Sequence, residues 1–96
     1  MKQYSWDEQK NEKLIQERGV SFEDIVQAIT EGHLLEVGPH PNGTRYPNQN
    51  LYFVWFADYV YVVPNEEVDG KIRLITIIPS RKASRKYLSG GDESEN

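Results

Sequence analysis

The chain contains no cysteine, only two histidines and no long apolar run. Without cysteine there can be neither a disulfide framework nor a thiolate metal site, which fits a reducing compartment. No apolar run approaches the roughly 18 residues that cross a bilayer, and residues 1–11 are polar where a secretory signal would be apolar. We therefore expect a cytoplasmic protein with no membrane association, no metal site and no cofactor.

The length and charge of the chain predict one domain with an acidic tail. A chain of 96 residues is too short to build two separate cores. Residues 1–88 are predicted to form the domain, and the Ser- and Gly-rich residues 89–96 are predicted to be disordered. The formal net charge is -4, but Asp92, Glu93 and Glu95 supply three of the negative charges. The body of the chain is therefore close to neutral, which leaves room for a local basic patch.

Two helices are predicted at the start of the chain. Ser5 and Glu8 have the spacing of a capping box, so the first helix is predicted over residues 6–18. A second capping signal begins at Ser21, and apolar residues then recur at helical spacing up to Gly32. The second helix has more apolar positions than the first, so we expect it to be the better buried of the two.

The rest of the chain predicts a sheet and a final short helix. Alternating β-branched and aromatic residues mark four strands, which we place at residues 33–37, 51–56, 59–63 and 71–78. Residues 38–50 are predicted to be a loop, and Ala57-Asp58 a hairpin turn. Ser80 can cap a last helix over residues 81–88. The predicted fold is α+β, with two N-terminal helices on one face of a four-stranded, mainly antiparallel sheet and the short C-terminal helix at its edge.

Three sequence motifs resemble a known family. Residues 6–10 have the pattern Trp-Asp-x-x-Lys, residues 19–22 are Gly-Val-Ser-Phe, and residues 78–85 have the pattern Ile-x-x-Arg-Lys-Ala-Ser-Arg. In this order around a β-meander, the motifs resemble the BrnT-type toxins, the ribonuclease halves of bacterial type II toxin–antitoxin pairs. The resemblance implies a RelE-like fold and a metal-independent ribonuclease, a hydrolase that inhibits translation. It also implies an RNA substrate and an antitoxin partner that carries a ribbon-helix-helix domain.

The basic segment after the last strand is the strongest candidate for chemistry. On a helix, Arg81 with Arg85 and Lys82 with Lys86 form two adjacent stripes of like charge, which repel each other unless an anion lies nearby. The helix N-terminus adds partial positive charge, so RNA phosphate is a natural ligand. The simpler interpretation is a solvated helix face whose cations complement acidic residues elsewhere.

Cleavage of RNA without a metal requires stabilisation of the phosphorane and the movement of two protons. Arg81, Arg85 and Lys82 are the candidates for charge stabilisation. Lys10 or His40 is predicted to move the protons, with a sheet tyrosine such as Tyr52 as a further option.

Three further residues are predicted to bind RNA. Lys86 is a candidate for the phosphate backbone, and Tyr52 for stacking on exposed bases. Trp6 is the third candidate, although a hydrophobic anchor at a helix start is the commoner use of such a residue.

Two other functions remain open at this point. A non-catalytic protein of the same fold that serves as a protein-binding module is favoured by the near-neutral body. It is also favoured by departures from the family pattern: Leu14 and Arg18 stand where the family commonly has Asn and His, and Gln49 and Asn50 where it often has Arg. The other possibility is a structural domain without a partner.

Overall fold

The computed structural model describes residues 3–88 and shows a mixed α+β fold, as the sequence predicts. The elements in chain order are β1 (Tyr4–Ser5), α1 (Glu8–Arg18), α2 (Phe22–Thr30), β2 (Leu34–Pro39), β3 (Gln49–Phe56), β4 (Tyr59–Val68), β5 (Lys71–Leu74), β6 (Ile78–Pro79) and α3 (Arg81–Leu88). The predicted acidic tail, residues 89–96, lies outside the described residues. None of the helices within residues 3–88 is both long enough and apolar enough to cross a membrane.

The expectation of four strands is wrong, because the sheet within the described residues has six. Five of them lie in the order β1-β5-β4-β3-β2, and β6 also pairs with β4. The strand at one edge, β1, is parallel to β5, and the N–H of Ile72 donates to the carbonyl of Gln3 at 2.8 Å. A strand of two residues is too short to show any alternation in the sequence, so only its backbone pairing reveals it. The other pairs are antiparallel.

The last predicted strand is divided by a bulge opposite Pro64. Asn65 pairs with Leu74, but Val62 pairs with Ile78, so the β5–β6 segment contains one more residue than β4 over this stretch. Pro64 accepts a hydrogen bond from the N–H of Ile75 at 2.9 Å, but it has no N–H to donate in return. The ladder therefore breaks at this point, as is usual beside a proline in a sheet interior.

Helix α1 begins two residues later than predicted. Ser5 belongs to β1 and caps nothing, whereas the Asp7 carboxylate accepts from the N–H groups of Gln9 at 2.9 Å and Lys10 at 3.4 Å. Pairing with β5 holds Ser5 in the sheet, so the next residue with a capping side chain takes its place. The predicted stop is confirmed, because Gly19 ends α1 in the left-handed conformation with φ 70°.

A buried asparagine joins α1 to α2. The predicted capping box at Ser21 and Asp24 is present, and it sets the start of α2. Next to it, the side-chain oxygen of Asn11 accepts from the N–H of Phe22 at 2.7 Å. Its amide nitrogen donates to Glu23 at 2.7 Å. Asn11 is only 3% exposed, so both of its polar ends are satisfied by the first turn of α2.

The central hairpin is confirmed, although its turn contains no glycine. Phe56 pairs with Tyr59, and the two turn residues have positive φ, 54° at Ala57 and 62° at Asp58. These values are typical of a type I′ turn, whose twist matches that of the strands. Strands β2 and β3 both extend into the predicted loop, since β2 reaches Pro39 and β3 begins at Gln49.

The two faces of the sheet carry different helices. Val54 and Val63 share one hydrophobic cluster with residues of α1 and α2, so these two helices cover that face. The members of the cluster are Leu14, Val20, Phe22, Ile25, Ala28, Val54, Val63, Ile72, Leu74 and Ile77. Because side chains alternate along a strand, Phe53 points to the opposite face. That second face is the one over which α3 lies.

The Asn11→Ala variant is expected to lose about 1 to 3 kcal/mol of unfolding free energy, because the buried N–H of Phe22 would have no acceptor. Hydrogen bonding to Asn11 is also the largest of the causes that lower the pKa of Glu23, so that pKa should rise toward its ordinary value. Urea unfolding and an NMR titration measure the two effects. Glu12→Ala, an exposed change on the same helix, serves as control. Equal stability of the two variants would contradict the role of Asn11.

Candidate functional site

Helix α3 is attached to β4 through the backbone of Val60. The N–H of Val60 donates to the hydroxyl of Ser84 at 2.8 Å, and its carbonyl accepts from the N–H of Ser80 at 3.0 Å. Ser84 is 2% exposed, so its hydroxyl is a buried acceptor. The predicted cap is also present, since the Ser80 hydroxyl accepts from the N–H of Ala83 at 3.1 Å. These contacts fix the first turn of α3 at the side of β4.

The far end of α3 is connected to the edge strand β2 through a side-chain hydrogen bond. The hydroxyl of Tyr87 donates to a carboxylate oxygen of Glu36 at 2.6 Å. Glu36 lies on β2 and pairs with Phe53, so both residues are on the face that α1 and α2 leave open. The expectation that α3 lies along the edge of the sheet is therefore wrong. Its small buried residues, Ala83 and Ser84, let it pack on β4 in the middle of the sheet, and only the side chain of Tyr87 extends from it to β2.

A cleft of about 330 Å³ lies between α3 and this face of the sheet. One wall is the helix and the other is the sheet surface. The residues that line it are Glu36, Phe53, Ser80, Lys82, Ala83, Lys86 and Tyr87. The cleft thus combines two ammonium groups, one carboxylate, one phenol and an aromatic floor. Its volume lies at the small end of the range for ligand sites.

The Tyr87 hydroxyl and the Glu36 carboxylate form the polar centre of the cleft. The hydrogen bond to Glu36 raises the pKa of Tyr87, and desolvation and the charge of Glu36 raise it further. Tyr87 therefore keeps its proton at neutral pH and acts as a hydrogen-bond donor. The Lys86 ammonium lies 5.4 Å from the centre of the Tyr87 ring, within cation–π range.

The two basic stripes of α3 have different positions. All four residues are exposed, but only Lys82 and Lys86 are part of the cleft lining, and Arg81 and Arg85 are not. On a helix these stripes are about 100° apart, and the buried side of α3 contains Ala83 and Ser84. The lysine stripe is therefore the one next to the Glu36–Tyr87 pair.

Three predicted site residues lie on the other side of the sheet. The Trp6 ring stacks on Phe22 at 5.6 Å and packs against the core, with its buried ring nitrogen lacking a partner among the described residues. Tyr52 also packs against this core, where burial raises its pKa, and Lys10 is half-buried on α1. The structure does not bring these three residues together with α3.

His40 lies on the same face as Glu36 but at a distance. The two residues are four positions apart on β2 and the loop that follows it, or about 13 Å at the rise of a strand. The Nδ1 atom of His40 accepts from the N–H of Asn42 at 3.0 Å, and its ring lies 4.6 Å from that of Tyr46. His40 therefore interacts with the loop that follows β2 and does not line the cleft.

The sequence did not indicate Glu36 and Tyr87 as a functional pair. They are 51 residues apart, and their contact depends on the register of β2 and on the direction of α3. One signal was present for Tyr87, which lies four residues after Ala83 on the helix, so that both face inward. No comparable signal marked Glu36 in the sequence.

A second cleft, of about 280 Å³, lies at the turn end of the central hairpin. Asp24, Glu31, Asp58, His33 and Trp55 are among the residues that line it. None of the described residues that line it is a lysine or an arginine, and none is a predicted site residue. An RNA phosphate would meet mainly carboxylates here, so the α3 cleft is the better candidate for an anionic ligand.

Comparison with protein-family models, with curated proteins and with solved structures finds no match for this chain. The chemistry of the α3 cleft and the sequence motifs are thus the observations from which a function can be inferred.

Removal of the Ser84 hydroxyl should loosen α3. In Ser84→Ala the buried N–H of Val60 has no acceptor, so we expect a loss of about 1 to 3 kcal/mol of unfolding free energy. Amide hydrogen exchange should accelerate in α3 more than in α2. Thr30→Ala, which deletes a hydroxyl from an exposed helical position, is the control. Unchanged exchange at α3 would show that Ser84 does not hold the helix.

The Glu36→Gln variant should lower the pKa of Tyr87 toward its ordinary value of about 10, because it removes the carboxylate. The raised pKa stabilises the folded wild type below pH about 10, and this contribution is lost as the pH rises through the folded pKa of Tyr87. An NMR titration of the ring carbons measures the pKa of Tyr87. The pKa of Tyr52, which is raised chiefly by burial on the other face of the sheet, is the internal control and should not change. A fall in both pKa values would indicate a general loosening of the fold.

Proposed function

We propose that this protein is the toxin of a bacterial type II toxin–antitoxin system, a cytoplasmic BrnT-type ribonuclease of RelE-like fold. It cleaves RNA without a metal and thereby inhibits translation. One observation carries the proposal: α3 holds Lys82 and Lys86 beside the hydrogen-bonded pair of Glu36 and Tyr87, in a cleft with Phe53 as its floor. Cations, a proton acceptor and an aromatic surface are what an RNA-cleaving site requires.

The cleft residues can divide the chemistry of RNA cleavage among them. Glu36 takes the proton of the 2′-hydroxyl, whose oxygen then forms a bond to the adjacent phosphorus. Lys82 and Lys86 stabilise the extra negative charge of the phosphorane, and one of the ammonium groups gives a proton to the departing 5′-oxygen. The P–O5′ bond breaks, so the products carry a 2′,3′-cyclic phosphate and a 5′-hydroxyl. Tyr87 holds the Glu36 carboxylate in place through its hydrogen bond.

The remaining residues of this surface have binding roles in the proposal. Phe53 offers an apolar ring against which a base can stack. Arg81 and Arg85 lie outside the lining of the cleft and contact neighbouring phosphates of the same strand, where their charge adds salt-dependent affinity. The catalytic group of the proposal is therefore the lysine stripe with Glu36, and the arginine stripe binds the substrate.

The partner in this proposal is an antitoxin with a ribbon-helix-helix domain. To block RNA it must cover Lys82 and Lys86, and it must offer carboxylates, since like charges at a desolvated contact cost several kcal/mol. Its association with the toxin is therefore salt-sensitive. Production of both proteins together keeps the toxin inactive until the antitoxin is lost.

The alternative is a non-catalytic protein-binding module of the same fold. The edge strand β2 favours it, because Leu35 is 39% and Val37 54% exposed, and an edge strand presents unpaired backbone groups to a partner. Both functions need a partner, but only the first needs the cleft chemistry.

Induction of the wild-type chain without a partner is expected to slow growth. The Lys82→Ala/Lys86→Ala double variant should restore growth, whereas the Arg81→Ala/Arg85→Ala double variant, a matched loss of two cations from the same helix, should restore it less. Glu36→Gln should lower the cleavage rate by roughly 10²- to 10⁴-fold, as loss of a general base does. Growth curves at equal protein levels and end-group analysis of the RNA measure these effects.

Two outcomes would contradict the proposal. Unchanged growth at verified wild-type protein levels would favour the binding module. Cleavage that leaves 5′-phosphate ends, or that stops on addition of a chelator, would exclude attack by the 2′-hydroxyl without a metal.

A further inference from the structure

A second group of cationic and aromatic side chains lies in the loop between β2 and β3. The His40 ring is 4.6 Å from the ring of Tyr46, and the Arg45 guanidinium lies 5.5 Å from the same tyrosine ring. Asn42 closes the loop, since its side chain accepts from the N–H of Arg45 at 3.2 Å. We call His40, Arg45 and Tyr46 the loop cluster. It combines a guanidinium with two aromatic rings in tilted contact, and both kinds of group occur in surfaces that bind single-stranded nucleic acid.

The register of β2 aligns the loop cluster with the α3 cleft. Glu36 pairs with Phe53 and Gly38 with Leu51, and the N–H of His40 donates to the carbonyl of Gln49 at 3.2 Å. Positions 36, 38 and 40 therefore succeed one another along the same face of the sheet. The separation of Glu36 and His40 is about 13 Å, which is close to the span of two extended nucleotides.

Gly38 leaves the path between the two sites open. A Cβ atom built on Gly38 would meet no other atom within 4 Å, and its φ is not in the left-handed region. Neither crowding nor backbone strain therefore demands glycine at this position. A larger side chain here would stand between Glu36 and His40 on the face they share.

The polarity of the loop cluster suits a phosphate. Because Nδ1 of His40 accepts from the N–H of Asn42, the proton of the neutral ring is on Nε2, which leaves that atom as a donor. Arg45 supplies a permanent positive charge. Glu66 pairs with Gln49 on the same face and adds a carboxylate toward β4, so phosphates are favoured on the side of β2.

We propose that the loop cluster is a second RNA subsite, which binds a backbone phosphate about two nucleotides away from the α3 cleft. The substrate is then a single-stranded RNA segment that lies along β2 and passes over Gly38. This inference rests on the proposed function of the α3 cleft. It adds a minimum length and an unpaired state to the substrate, because the bases of a duplex are stacked in its interior and could not contact both the cleft floor and the rings of the loop cluster.

Binding of RNA that cannot be cleaved tests this inference apart from catalysis. The probes are 2′-O-methylated RNAs of mixed sequence, two and six nucleotides long, whose affinities are measured by fluorescence anisotropy over a range of salt. Arg45→Ala should weaken binding of the six-nucleotide RNA roughly fivefold and reduce its salt slope by about 0.7, the value for one phosphate on a single strand. Binding of the two-nucleotide RNA should not change. Arg18→Ala, which removes a cation from an exposed position at the end of α1, is the matched control.

A steric variant provides an independent measurement. Gly38→Leu should weaken binding of the six-nucleotide RNA and leave that of the two-nucleotide RNA unchanged. Val37→Leu enlarges the adjacent side chain, which points to the other face of the sheet, so it should have no effect.

The results separate the two proposals. If Lys82→Ala/Lys86→Ala weakens binding of both RNAs while Arg45→Ala and Gly38→Leu leave the longer one unaffected, the cleft binds RNA and the second subsite is excluded. If Lys82→Ala/Lys86→Ala has no effect on either RNA, or if wild type binds neither RNA, the proposed function of the cleft fails and this inference fails with it.

Discussion

The candidate site depends on how the backbone of Val60 is satisfied. Its N–H and carbonyl both pair with the start of α3, through the Ser84 hydroxyl and the N–H of Ser80. A buried N–H without an acceptor costs about 1 to 3 kcal/mol, so this pairing strongly favours one position for the helix. From that anchor at β4 the side chain of Tyr87 reaches Glu36 on β2, and the cleft is the space that remains between the helix and the sheet.

Local signals in the sequence predicted the parts of the fold that depend on local interactions. The capping box at Ser21, the stop at Gly19, the hairpin turn at residues 57–58 and the cap at Ser80 all involve partners within five residues. The strand β1, the bulge opposite Pro64 and the position of α3 depend on partners far away in the chain, and no local pattern contains them. Ser5 shows the conflict directly, because it has the spacing of a cap but pairs with β5.

The same distinction applies to the candidate site. The basic composition of α3 is visible in the sequence, but which stripe lies in the cleft is decided by the inward direction of Ala83 and Ser84. Arg81, Arg85 and Lys82 were the expected groups for charge stabilisation, and of these three only Lys82 lines the cleft, together with Lys86. Glu36 could not be identified beforehand, because its side of the sheet depends on the register of β2 and on the irregularity between Leu34 and Glu36.

Charge separation over the surface explains how a chain of net charge -4 can have a cleft lined by two lysines. The cleft at the hairpin turn carries Asp24, Glu31 and Asp58, whereas the α3 cleft carries two lysines and one carboxylate. Glu36 weakens the attraction of this cleft for phosphate, since like charges repel at short range. A surface that only bound RNA would gain nothing from a carboxylate at this point. A site that cleaves RNA needs a proton acceptor beside its cations, so under the proposed function Glu36 is the residue that most clearly separates catalysis from binding.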